Sequence, residues 1–113
     1  MAITQPLSES VNGQPIDIVA GATPGDLLHI GTLGKIDMVR LVVNNVTAAP
    51  LVLILEWGTL VATQNLEISV AADTMVELPE IPFTGGAAVS PQEIRGFCAT
   101  PNGIKVLGEV RQL

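Results

Sequence analysis

The sequence predicts a single all-β domain, a β-sandwich or jelly-roll-like barrel of about eight short antiparallel strands. Three observations carry this. Turn signals recur every eight to twelve residues or so, supplied by 11 glycines and 8 prolines. The two longest apolar runs, Met38 to Val43 and Leu51 to Trp57, are rich in β-branched residues and bounded by Asn, Pro and Gly. Asn65 to Val70 alternates polar and apolar at period two, and no stretch carries a convincing helical period.

Residues 1–12 mix Ile3, Leu7 and Val11 with polar neighbours, and Pro6 removes a donor that a central strand needs, so they read as an N-terminal arm or edge strand. Such an arm could dock on its own domain or reach a neighbouring subunit. Residues 13–113 form the sandwich domain. Gln14 to Ala20 is a short strand, Thr23-Pro24-Gly25-Asp26 a turn, and Leu27 to Ile30 a second short strand closed by Gly31 to Gly34.

The central stretch follows. Val39, Leu41 and Val43 fall on one face of the first strand, with Met38, Arg40 and Val42 on the other. Asn44 to Pro50 makes a loop. The second strand sets Leu51, Leu53, Leu55 and Trp57 against Val52, Ile54 and Glu56. Neither strand has a cleanly polar face, so an opposing sheet should cover one side and a neighbouring chain or the arm the other. In contrast, Leu66, Ile68 and Val70 should face a core while Asn65, Glu67 and Ser69 face water. Met75 to Pro79 is a strand whose proline limits it to an edge or a strand end, Glu80 to Gly86 is a loop, and Ala87 to Val89 and Glu93 to Ala99 are strands. The Asn102-Gly103 pair then predicts a closing hairpin into Ile104 to Arg111.

With 113 residues, one core is expected, burying roughly two thirds of the unfolded surface. The chain is 48% hydrophobic and 14% charged, with mean hydropathy +0.50, an apolar excess that points to assembly into a homo-oligomer. No window of eighteen apolar residues occurs, so no membrane span is expected, and no basic segment followed by an apolar core marks a secretory leader. A net charge of −6 argues against nucleic acid as a direct partner. The lone Cys98 allows no internal disulfide and no cysteine-rich metal site, as suits a reducing cytoplasm.

Catalytic, cofactor-binding and metal-ligating residues are expected to be none. His29, whose nearest acidic neighbour in sequence is Asp26, has no motif around it and reads as a partly exposed strand histidine. Cys98 follows Phe97 in an apolar strand and reads as a small buried hydrophobe. Asp17, Asp26, Asp37, Asp73, Glu77 and Glu80 show no calcium-loop spacing; Asp73, Glu77 and Glu80 could converge on a cation at a subunit axis, but solvated carboxylates are the default. With one Trp, two Phe and no Tyr, platforms for sugars or bases are scarce, and Trp57 reads as a core or interface anchor. Thr84-Gly85-Gly86 lacks the lysine and helix of a phosphate loop and reads as a turn.

Leu41 to Asn45, Leu53 to Thr59, Asn65 to Ile68, Glu77 to Gly86, Ile94 to Asn102 and Leu107 to Arg111 together resemble a group of small virion proteins of tailed bacteriophages. The resemblance implies a capsid decoration, or cement, protein: a β-sandwich that trimerises on the outer head surface and bridges neighbouring copies of the major capsid protein. It carries over no catalytic residue and no cofactor. It implies a virion location after assembly in the host cytoplasm. Two other readings stand beside it, a tail or head-tail connector component and a carbohydrate- or receptor-binding sandwich module that would use Trp57.

Overall fold

Strand β4, Ile36–Asn45, and strand β5, Leu51–Trp57, form the middle of the molecule, and each buries one face by period-two alternation. The computed structural model describes residues 4–86 and 90–113. Among these are ten strands: β1 Thr4–Pro6, β2 Ile16–Asp17, β3 Asp26–Ile30, β4, β5, β6 Leu66–Val70, β7 Met75–Glu77, β8 Ile81–Thr84, β9 Glu93–Phe97 and β10 Ile104–Gln112. They build two antiparallel sheets. In the first, β10 and β4 are central, with β1 and β2 in tandem along the outer edge of β10 and β7 and β8 in tandem along the outer edge of β4. The second runs β3-β9-β5-β6. The chain is therefore an all-β sandwich, as its alternation and turn spacing predict.

Leu41, Val43, Val106 and Ile104 of the first sheet meet Leu53, Leu55 and Ile94 of the second, all essentially without solvent exposure. Phe83 closes one end of this core, where Trp57 packs on it edge to face with ring centroids 5.5 Å apart. Residues 4–12 lie on the sandwich. β1 pairs with Glu109 to Arg111, and Leu7 is buried in the core. Trp57 is thus a core anchor on its Phe83 side.

Several sequence expectations change. β4 and β5 lie in opposite sheets, so Val46 to Pro50 crosses the sandwich, with the Val46 N–H bonded to the Gly103 carbonyl. Each strand has one strongly apolar face, and burying both against each other requires them to stack across the core. Asn44 and Asn45 belong to β4, because they pair with Lys105 and Ile104 of β10. The expected closing hairpin is also a crossing: β9 pairs with β3 and β5, while β10 runs along β4 from Ile104–Asn45 to Gln112–Asp37. Only Asn102 of the Asn-Gly pair takes a positive φ (60°), whereas the tight hairpin turn needs positive φ at both positions. Glu80 to Gly86, read as loop, contains β8; Pro82 is tolerated because this strand sits on an edge. In β6 the alternation weakens toward its start, with Val70 buried, Ile68 half-buried and Leu66 37% exposed, because the strand lies at the sandwich rim. The strand expected at Ala87 to Val89 lies outside the described residues.

Candidate functional site

Among the described residues, polar groups enter the interior at three places, and each arises from a residue on an otherwise apolar strand. On β4 the inward positions are Asp37, Val39, Leu41, Val43 and Asn45, so a polar residue stands at each end of a buried apolar row. Burying such groups is tolerable only with full hydrogen bonding.

At the Asp37 end, the carboxylate Oδ2 lies 2.8 Å from His29 Nε2 of β3, and Gln112 Nε2 donates to Oδ1 at 3.1 Å. The Ser8 backbone N–H donates to His29 Nδ1 at 3.1 Å, which puts the imidazole proton on Nε2, facing Asp37. Ser8 Oγ accepts the Ile30 N–H at 2.7 Å. His29 is 5% exposed, not the partly exposed residue expected, and its carboxylate is Asp37 rather than Asp26. Asp26 instead accepts the N–H groups of Val19 and Ala20 at 2.5 and 2.8 Å. A cleft of about 320 Å³ opens above the pair, lined by Gln5, Pro6, Ser8, Thr32 and Gln112.

Serine, histidine and aspartate thus meet, but not in the order that nucleophilic catalysis uses. A nucleophile would place a hydroxyl on the imidazole nitrogen that faces away from the carboxylate. Here a backbone N–H occupies that nitrogen and the serine hydroxyl is bonded elsewhere. The arrangement ties the strands next to both chain ends, through Ser8 and Gln112, onto β3 and β4.

At the other end, Asn45 Nδ2 donates to the carbonyls of Ala49, Val70 and Ala71, and its Oδ1 accepts from the backbone N–H and hydroxyl of Thr47. The third place is Glu56, 1% exposed on β5, which accepts the Gly25 N–H at 2.6 Å and the Thr23 hydroxyl. Sequence reading set Glu56 with Val52 and Ile54 on the face expected to be closed by a neighbouring chain or the arm; the Thr23 to Gly25 turn of the same chain folds over Glu56 and buries it instead.

The two outer faces of the sandwich differ. On the first sheet, Arg40 pairs with Glu109 and lies 3.8 Å from Glu77, Arg111 reaches Glu80 at 2.8 Å, and Lys105 reaches Asp17 at 2.5 Å. This is a solvated face, which revises the expectation that β4 is apolar on both sides. The Arg111 hydrogen bond, more than its charge, holds the Glu80 carboxyl below its ordinary value, and Glu80 raises Arg111 in turn. A lowered folded-state value means that Glu80 adds stability above the ordinary glutamate range and loses it as pH falls through the lowered value. Glu80→Gln should therefore lower the thermal midpoint slightly at neutral pH and low salt, with no difference in strong acid. Midpoints measured across that pH range check this, and high salt should shrink the effect.

The second sheet presents Val52, 44% exposed, with half-buried Ile54 and Phe97 beside it. Leu60 and Val61, 55% and 53% exposed, follow the end of β5. A shallow groove lined by Ile54, Ala62, Asn65, Leu66, Glu67 and Phe97 runs along this face.

The remaining candidates separate. Cys98 is buried, with its N–H bonded to Ala20. Glu77 and Glu80 face guanidinium groups, and no cluster of three or more His, Cys, Asp or Glu suited to a metal occurs among the described residues. Sequence reading missed Asn45 and Glu56; the signal for Asn45 was its parity with Val39, Leu41 and Val43. Comparison of the chain with protein-family models, curated proteins and solved structures gives no match.

Proposed function

We propose that this protein is a capsid decoration subunit of a tailed bacteriophage, binding the outer head surface and stabilising the mature shell as a homotrimer in contact with the major capsid protein. The observation that carries the reading is the asymmetry of the sandwich. The outer face of the first sheet carries the Arg40–Glu109, Arg111–Glu80 and Lys105–Asp17 pairs. The second, beside its Arg95–Glu93 pair, leaves Val52, Ile54, Phe97, Leu60 and Val61 available for burial against another chain. The three interior polar groups are spent on holding turns and strand ends, a design for rigidity. Sequence resemblance from Leu41 to Arg111 supplies the capsid context. Repeated copies on a fixed lattice would add interface area across seams, so modest contacts would gain strength by multivalency.

Purified protein should assemble in multiples of three and bind expanded, DNA-filled heads, with a stoichiometry of hundreds of copies per particle in virions. A stable monomer without affinity for heads would sink the proposal. About a dozen copies or fewer would point instead to a connector ring. The carbohydrate-binding reading is weakened by Trp57, whose ring is engaged by Phe83 and packed against the core.

A further inference from the structure

We propose that β6 pairs antiparallel with β6 of a second copy across a two-fold axis at Ile68, joining the second sheets of two molecules into one. The edges of the two sheets are finished differently. An open edge offers a row of unpaired N–H and C=O groups to any strand that can align, so edges are usually shortened, kinked or fitted with proline. One edge of the first sheet is split between β1 and β2, with Pro6 in β1 and Pro15 just before β2. Its other edge is split between β7 and β8, with Pro79 between them and Pro82 within β8. On the second sheet, β3 carries a register shift between Leu27 and His29. β6 alone is neither split, proline-bearing nor shifted in register, and its one charged residue is Glu67. It runs in regular register along β5 from Leu66 to Val70, without proline, lysine or bulge, and among the described residues it pairs with no strand on its other side.

The residues of β6 identify its occupant. An antiparallel pair centred on Ile68 sets Leu66 opposite Val70 of the second copy, Ile68 opposite Ile68, and Glu67 opposite Ser69. Opposed residues in such a pair share a face, so both cores lie on the same side of the joined sheet. Leu66, 37% exposed, and half-buried Ile68 would gain the neighbour they lack at the rim. Glu67 would meet a serine instead of another carboxylate. Centring the pair on Glu67 would oppose two carboxylates, and centring it on Ser69 would leave Leu66 outside the pairing. Asn65, just before the strand, has a buried Oδ1 with no hydrogen-bond partner, and this register places the residue opposite Ala71 of the second copy.

This pairing does not rest on the capsid reading, and a two-fold contact cannot by itself close a trimer. Sedimentation equilibrium of the full chain and two variants tests it. Ser69→Glu, on the exposed face, opposes like charges at two symmetric places and should weaken association by about tenfold. Adding Glu67→Lys to that variant opposes Lys to Glu in both places and should restore affinity to within about threefold of the parent. Retained thermal unfolding transitions confirm that the variants fold. A parent dimer, or a hexamer that Ser69→Glu splits into trimers, supports the pairing. A parent that is a monomer or a plain trimer, or an assembly whose affinity Ser69→Glu leaves unchanged, overturns it.

Discussion

Replacing Glu56 with alanine should lower the free energy of unfolding by about 3 kcal/mol, at the upper end of the cost of stranding a buried donor. Glu56 Oε1 takes the Gly25 N–H at 2.6 Å and Oε2 takes the Thr23 hydroxyl, so one carboxylate holds the turn that leads into β3. Arg95, opposite Glu56 in the β5–β9 register, holds the same turn from the other side by donating to the Gly25 carbonyl at 2.9 Å. The turn has no room to settle elsewhere. A Cβ on Gly25 would come within 2.4 Å of the Gly96 carbonyl oxygen, so the two backbones are already in contact. Without Glu56 the Gly25 N–H remains covered and has no acceptor. Glu56→Gln keeps the volume and one carbonyl acceptor and should cost about half as much. Urea unfolding followed by Trp57 fluorescence measures both variants. A loss below about 1 kcal/mol for the alanine variant would show that the turn holds itself.

The same turn shows where sequence reading stops. Thr23-Pro24-Gly25-Asp26 announces a turn through Pro and Gly, but nothing local says that it folds back over Glu56, 31 residues beyond Gly25. Short-range signals were legible: the buried parity of Val39, Leu41 and Val43, the alternation of β6, the corners at Gly and Pro. Sheet membership was not, because a short loop between two apolar strands can close a hairpin or cross a sandwich, and the choice depends on which distant strand offers the longer register. β10 finds its register along β4, which takes it away from β9 despite the Asn102-Gly103 signature. The ion pairs of the first sheet are illegible for a similar reason. Arg40 and Glu109 are 69 residues apart, and Lys105 and Asp17 are 88 apart, adjacent only through strand pairing. His29 looked nearest to Asp26 in sequence, yet neighbouring strands in opposite sheets brought it to Asp37.

Asn45→Asp should be more damaging than loss of Glu56 at neutral pH, by roughly 3–5 kcal/mol relative to the parent, the cost of a buried charge left without compensation. The amide Nδ2 of Asn45 faces three carbonyl oxygens at 2.8, 3.1 and 3.2 Å, while Oδ1 serves Thr47. Aspartate keeps the acceptor for Thr47 but turns an oxygen toward the carbonyls where a donor stood. Its carboxylate would be held off by them and by burial, so the folded state raises its pKa above the unfolded value. The sign follows directly: a protonated side chain donates to one carbonyl, and the penalty is least below the unfolded aspartate range. It grows as pH rises toward the folded-state value and levels off above it. Asn45→Ala, which has nothing to titrate, should lose stability by an amount that does not vary over the same range. Urea unfolding of the parent and both variants from acid to neutral pH separates these outcomes, and a pH-independent loss in the aspartate variant would show that the site rearranges to accept the charge. Because Asn45 holds the carbonyls of Val70 and Ala71, it also fixes the end of β6. Any loosening there should therefore appear first as faster amide exchange at that edge of the second sheet.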